Sequence, residues 1–70
     1  MESLRNGIRR VILNADTEPF FDEFKYELRA WSVAEISAEL LAMANEHIIR
    51  LKSVKSTRGV FRYVQGPKWE

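Results

Sequence analysis

The amino-acid sequence predicts one α+β domain in which three helices precede a C-terminal two-stranded β-hairpin. Residues 2–46 place apolar side chains at helical spacing, whereas residues 47–65 alternate in polarity and are rich in β-branched and aromatic types. The 70 residues suffice for a single small domain with a modest core. We expect helices over about 2–15, 18–30 and 32–46, a hairpin over about 47–65 and a short tail at 66–70.

The first predicted helix has one apolar face. Ser3 can cap its N-terminus. Gly7 lies inside it and disfavours the helix by about 1 kcal/mol relative to alanine, which weakens the first turn. The residues of the apolar face are Leu4, Ile8, Val11, Ile12 and Ala15.

The second predicted helix carries much of the aromatic core. Asp16 or Thr17 can cap it, with Pro19 in the first turn, where the missing N–H of proline is harmless. The apolar face consists of Phe21, Phe24, Leu28 and Trp31, and Phe20 widens it.

The third predicted helix begins with a capping box, because Ser32 is followed three residues later by Glu35. Only two or three residues then separate the second and third helices, a connection typical of a helix-turn-helix. Asn45 favours a left-handed cap at the end. The predicted buried stripe is Val33, Ile36, Leu40 and Met43, with Leu41 and Ala44 beside it.

The hairpin is predicted from two short runs joined by a polar turn at residues 56–59. Alternation places Ile49 and Leu51 on the side opposite Arg50 and Lys52. The strand register stays open. Pairing Lys55 with Val60 would put Arg50, Lys52, Val54, Phe61 and Tyr63 on one face. A shift of one residue would exchange the faces.

The charges are segregated along the chain, although the net charge is only +1. Residues 16–46 contain eight acids against two cations, whereas residues 47–69 contain six cations and no acid. Acidic helices and a basic hairpin can neutralise each other within one fold. Alternatively, the basic segment forms a surface for a charged partner.

The stretch F-x-E-F-x-x-E-L-x-x-W-S-V-A-E-I-S-A-E-L, residues 21–40, resembles the second and third helices of the winged helix-turn-helix superfamily. The hairpin sequence H-I-I-R-L-K-S followed by R-G-V-F-R-Y-V resembles its wing. Because the resemblance covers residues 2–65, nearly the whole sequence, the protein is similar to small stand-alone winged-helix proteins of bacteria and phages. The resemblance implies a transcriptional or recombination regulator that binds duplex DNA, with the third helix in the major groove.

The third helix departs from that pattern, because we expect its exposed face to carry Glu35, Glu39 and Glu46 and no Lys or Arg. Since cations on phosphates supply most of the affinity for DNA, the hairpin and the first helix would have to provide them. The candidate nucleic-acid-binding residues are Arg50, Lys52, Lys55, Arg58, Arg62, Arg5 and Arg9.

A protein-interaction module on the same fold is the alternative. The oppositely charged segments could meet between two copies in a homodimer, or the acidic third helix could receive a basic protein partner. Candidate partner-binding residues are Glu35, Glu39 and Trp69. Trp69 is either a clasp on the core or an exposed anchor for a partner.

Catalysis, metal binding and cofactors are not expected. The chain has no cysteine and a single histidine, His47, so a metal site lacks a second nitrogen or sulfur ligand. Two pairs of carboxylates, Glu35 with Glu39 and Asp22 with Glu23, lie close in the sequence. A chain of 70 residues has little room for a pocket that would perturb their pKa values. We expect no catalytic residue and no small-molecule substrate. No apolar run reaches a membrane-spanning length, and no signal-peptide pattern opens the chain, so we expect a cytoplasmic protein without a membrane partner.

Overall fold

The computed structural model describes residues 2–54 and 60–69 and confirms the α+β architecture of three helices and an antiparallel hairpin. The predicted turn, with Lys55 and Arg58, lies outside the described residues. The elements are α1 (Leu4–Asn14), α2 (Phe21–Glu27), α3 (Val33–Asn45), β1 (Ile49–Ser53) and β2 (Phe61–Gln65).

The core lies between the three helices and the helix-facing side of the hairpin. Its residues are Ile8, Val11, Phe24, Leu28, Ile36, Leu40, Met43 and Ile49. All eight belong to the apolar faces that periodicity predicts. The ring of Tyr63 meets Phe24 edge-on, with 5.3 Å between centroids, and so ties β2 to α2.

Gly7 in α1 allows a close approach between helices. Ser3 caps α1 as predicted, since its hydroxyl accepts the N–H of Asn6. Gly7 itself is buried, and a Cβ there would lie 2.8 Å from Cδ2 of Leu28. The glycine therefore provides contact between α1 and the end of α2, at the expense of helix propensity.

α2 is shorter than predicted, Phe21–Glu27 instead of 18–30. The residues before it are extended: Phe20 forms a β-bridge with Arg62, and the Pro19 carbonyl accepts the N–H of Tyr63 at 2.9 Å. The predicted cap at Asp16 or Thr17 is wrong, because this isolated bridge holds the segment before Phe21 extended beside β2. Five residues, 28–32, then connect α2 to α3, instead of two or three.

The capping box at the start of α3 is confirmed: Glu35 N–H donates to the Ser32 hydroxyl, and Ser32 N–H donates to the Glu35 carboxylate. The end differs from the expectation, since the left-handed residue is His47 (φ 64°) and not Asn45. The N–H of His47 donates to the Ala44 carbonyl. The N–H of Ile48 donates to the carbonyl of Met43, which completes a Schellman motif.

Two apolar residues of α3 are more exposed than predicted. Val33 is 55% exposed and Leu41 is 64% exposed. Both were expected in or beside the buried stripe, but only Ile36, Leu40 and Met43 reach the core. α3 therefore presents apolar side chains to solvent.

The hairpin register differs by one residue from the pairing of Lys55 with Val60. Ser53 lies opposite Phe61 and Leu51 opposite Tyr63, and Val54 N–H donates to the Val60 carbonyl. Because directly opposite residues share a face, the aromatic residues lie on the helix-facing side. Of the two registers that the sequence leaves open, the structure has the one in which the cations do not share a face with Phe61 and Tyr63.

The tail folds back over the junction between α3 and β1. The N–H of Gly66 donates to the Ile48 carbonyl, and that of Lys68 donates to the His47 carbonyl. A Cβ at Gly66 would lie 2.6 Å from the His47 carbonyl oxygen, so a glycine is required for this approach. Trp69 is thereby placed against the core.

Candidate nucleic-acid interface

The cation face of the hairpin is the surface formed by Arg50, Lys52 and Arg62. The strand register places all three side chains on the same side. Arg50 and Lys52 are exposed, and Arg62 is half-buried. This face therefore presents three positive charges within two paired strands.

Glu18, in the extended segment before α2, holds two of these cations. Its carboxylate lies 3.2 Å from the Lys52 ammonium, and its carbonyl accepts from the Arg62 guanidinium at 2.7 Å. The same guanidinium lies 4.2 Å from the ring centroid of Phe20. Arg62 is therefore fixed by two contacts, whereas the exposed Lys52 pair is weak enough to yield to a phosphate.

The arginines of α1 are engaged elsewhere in the fold. Arg5 Nε lies 2.6 Å from the Glu39 carboxylate, and its other two nitrogens donate to Glu46 at 3.0 and 2.9 Å. The hydrogen bonds to Glu46, and then the one to Glu39, raise the pKa of Arg5, and the bonds from Arg5 lower the pKa of Glu46. Arg9 lies 4.8 Å from the ring centroid of Trp69. No contact among the described residues joins Arg5 or Arg9 to the cation face.

Two acids of α3, Glu39 and Glu46, lie on its α1 side. Glu39 and Glu46 bind Arg5, and Glu35 is occupied by the capping box at the helix start. The expectation that the exposed face of this helix carries glutamates is confirmed for Glu35 and Glu46, which are exposed, whereas Glu39 is half-buried. Among the described residues, Glu39 and Glu46 pair with Arg5 of α1 and not with the hairpin.

The opposite flank of α3 is neutral and borders β1. A shallow groove of about 190 Å³ lies here, which we call the α3–β1 groove. It is lined by Ser37, Leu40, Leu41, Leu51 and Tyr63. Leu51 is 44% exposed, and Phe61, farther along the same face of the hairpin, is 37% exposed. The groove is thus flanked by solvent-exposed apolar side chains.

Two alternatives were open for Trp69, a clasp on the core and an exposed anchor for a partner. The structure shows the clasp. Trp69 is partly buried, packs against the core and lies beneath the Arg9 guanidinium. The contact links the C-terminal tail to α1.

Glu18 and the α3–β1 groove were not predicted from the sequence. Glu18 contacts residues 34 and 44 positions away, and no local pattern marks such a pairing. The groove depends on the strand register, which brings Leu51 opposite Tyr63. The exposure of Leu41 was not predicted, because helical periodicity places this residue beside the predicted buried stripe.

No protein-family model, no curated protein and no solved structure matches this chain. None of the helices within residues 2–54 and 60–69 is long and apolar enough to cross a bilayer. In the same part of the chain, no three His, Asp or Glu side chains gather where a metal ion could bind.

Proposed function

We propose that this chain is a small winged-helix DNA-binding protein whose cation face grips the phosphate backbone. Three cations on one side of a projecting hairpin, with no acid in residues 47–69, are the observation that carries this proposal. Lys55 and Arg58 add two charges to the same segment of the sequence. In this proposal the protein acts in the cytoplasm as a transcriptional or recombination regulator.

The order of elements supports a winged-helix fold. α3 leads directly into the hairpin, and the isolated β-bridge between Phe20 and Arg62 places the segment before α2 at the other edge of the hairpin. In such a fold α3 approaches the major groove while the hairpin contacts the backbone.

The distribution of acids on α3 also supports DNA binding. Glutamates on a groove-facing surface would repel phosphates, but Arg5 offsets part of the charge of Glu39 and Glu46. The exposed Glu35 accepts the Ser32 N–H. The side away from α1 carries small and neutral residues. These are Ala34, Ser37, Ala38, Leu41 and Asn45. Such a face admits close approach to DNA and leaves the electrostatic attraction to the hairpin.

Binding of a labelled random-sequence duplex, followed by fluorescence anisotropy between about 50 and 200 mM salt, tests the proposal. Each phosphate contact contributes about −0.9 to the slope of log K against log salt. We expect Arg50→Ala/Lys52→Ala to flatten that slope by about 2 and to weaken binding at low salt by about tenfold or more.

Arg10→Ala/Arg29→Ala is the matched control, because it removes the same charge from α1 and from the turn after α2. Arg10 is paired with Glu2, and Arg29 contacts the Tyr26 carbonyl. The control should bind like wild type. Equal loss in both double variants would indicate a general charge effect, and the absence of wild-type binding at about 50 mM salt would refute the proposal.

A protein-interaction module is the second candidate, and the α3–β1 groove favours it. Exposed Leu41 and Leu51 line that groove, and exposed Phe61 lies farther along the same face of the hairpin. Contiguous apolar surface rimmed by polar residues is typical of sites that bind other proteins. It is separate from the helix flank that carries Glu39.

A further inference from the structure

β1 has an open edge toward solvent. The ladder bonds at Val54–Val60 and at Ile48–Gly66 show that the even-numbered residues of β1 bond to β2. The N–H and C=O groups of Leu51 and Ser53 therefore point away from β2. Among the described residues, no main-chain hydrogen bond reaches these groups. The edge is a template on which another strand can pair.

The α3–β1 groove lies beside this edge and accepts apolar side chains. A strand added to β1 would direct alternate residues to the same face as Leu51. There they would meet Leu41, which is 64% exposed, and the neighbouring Ser37. Every second residue of the added strand should therefore be apolar.

The intervening residues of such a strand would face the cations. Arg50 and Lys52 lie on the opposite face of β1, both exposed, with Arg62 paired across from Lys52. Side chains placed directly opposite these cations gain most if they are acidic. Charge complementarity thus selects Asp or Glu at these positions.

A second copy of β1 meets like charges at this edge in two antiparallel registers. Antiparallel pairing of two β1 strands, with Leu51 opposite Leu51 or Ser53 of the second copy, brings like charges together. Arg50 then faces Lys52, or Lys52 faces Lys52. Directly opposite like charges destabilise a strand pair.

We propose that the outer edge of β1 binds an extended peptide segment in which acidic and apolar residues alternate, by antiparallel β-strand addition. Main-chain bonds to Leu51 and Ser53 provide affinity, and the groove and the cations provide specificity. This interaction does not depend on DNA binding. Because both ligands use Arg50 and Lys52, an acidic peptide would compete with DNA.

The probe is a capped, fluorescein-labelled peptide of about seven residues that alternates glutamate and valine. We expect a saturable rise in anisotropy. We also expect amide-exchange protection at Leu51 and Ser53 in NMR spectra. Replacing every glutamate by lysine should weaken binding by at least about tenfold. N-methylation of the valines, which would pair with Leu51 and Ser53, should have the same effect because it removes the ladder donors.

Two protein variants separate the edge from the groove. Ser53→Pro removes an outward N–H and keeps the bonds to β2, and Ser53→Ala is its control. Leu41→Glu places an acid in the groove, and Leu13→Glu is its control, because Leu13 on α1 is 60% exposed. Thermal unfolding verifies that each variant is folded. We expect Ser53→Pro and Leu41→Glu to weaken binding by at least about fivefold and the controls to leave it unchanged.

Three results would overturn the inference: no binding at about 1 mM peptide, equal binding of the N-methylated peptide, or equal binding by Ser53→Pro. DNA binding measured on the same protein samples without peptide is an independent readout. Its loss or persistence does not change the conclusion on whether the edge of β1 binds the peptide.

Discussion

The two faces of the hairpin differ in chemistry although both are formed by the same two five-residue strands. One face carries Ile49, Leu51 and Tyr63 toward the helices, and the other carries Arg50, Lys52 and Arg62. Alternation along each strand separates them, because successive side chains point to opposite faces. A register difference of one residue therefore decides which side chains of the hairpin share a face.

The apolar face is itself graded along its length. Ile49 is 1% exposed, whereas Leu51 is 44% exposed and Phe61, nearer the turn, is 37% exposed. The hairpin therefore extends past the helices, so its first part stabilises the core and its outer part is accessible. The cation face becomes available to a ligand over the same outer part.

The largest effect that we expect in the hairpin comes from Ile49→Ala. This residue is 1% exposed in the core, so truncation should lower the free energy of unfolding by about 3 kcal/mol. Such a loss is a large fraction of the stability of a small domain. Urea unfolding followed by circular dichroism measures it.

Leu51→Ala, on the same face and strand, is the control for that measurement. Because Leu51 is half exposed, its truncation should lower the free energy of unfolding by less than about 1 kcal/mol. Similar losses for the two variants would contradict the gradient from core to accessible surface.

A smaller effect should distinguish two cations on the other face. Arg62→Ala removes a bond to the Glu18 carbonyl and the contact with Phe20, so we expect a loss of about 1–2 kcal/mol. Lys52→Ala removes only an exposed ion pair and should stay within about 0.5 kcal/mol of wild type. Thermal unfolding compares them, and a greater loss for Lys52→Ala would contradict the role assigned to Arg62.

Much of the fold follows from local sequence. The capping box at Ser32, the cap at Ser3 and the apolar periodicity act over a few residues, and the structure places them as predicted. What the sequence could not predict depends on distant contacts. α2 begins at Phe21 because the residues before it pair with β2, and that pairing overrides the cap signals at Asp16 and Thr17.

The candidate site shows the same division. The cations of the hairpin were found from composition and charge segregation, which need no tertiary information. Their separation from Tyr63 and Phe61 depends on register, and the neutralisation of Glu39 by Arg5 joins residues 34 positions apart. Neither the strand register nor the ion pair between Arg5 and Glu39 can be predicted from a short segment of the sequence.

Both proposed surfaces depend on the hairpin register, and disulfide trapping measures it directly in this cysteine-free chain. Ser53 and Phe61 form a pair without mutual hydrogen bonds, where Cα atoms lie about 4.5 Å apart, a distance that a disulfide spans. We expect Ser53→Cys/Phe61→Cys to oxidise to an intramolecular disulfide and to raise the melting temperature. Val54→Cys/Phe61→Cys, matched to a register shifted by one residue, should oxidise slowly and gain no stability. Preferential trapping of the second pair would contradict the register and the separation of the two faces.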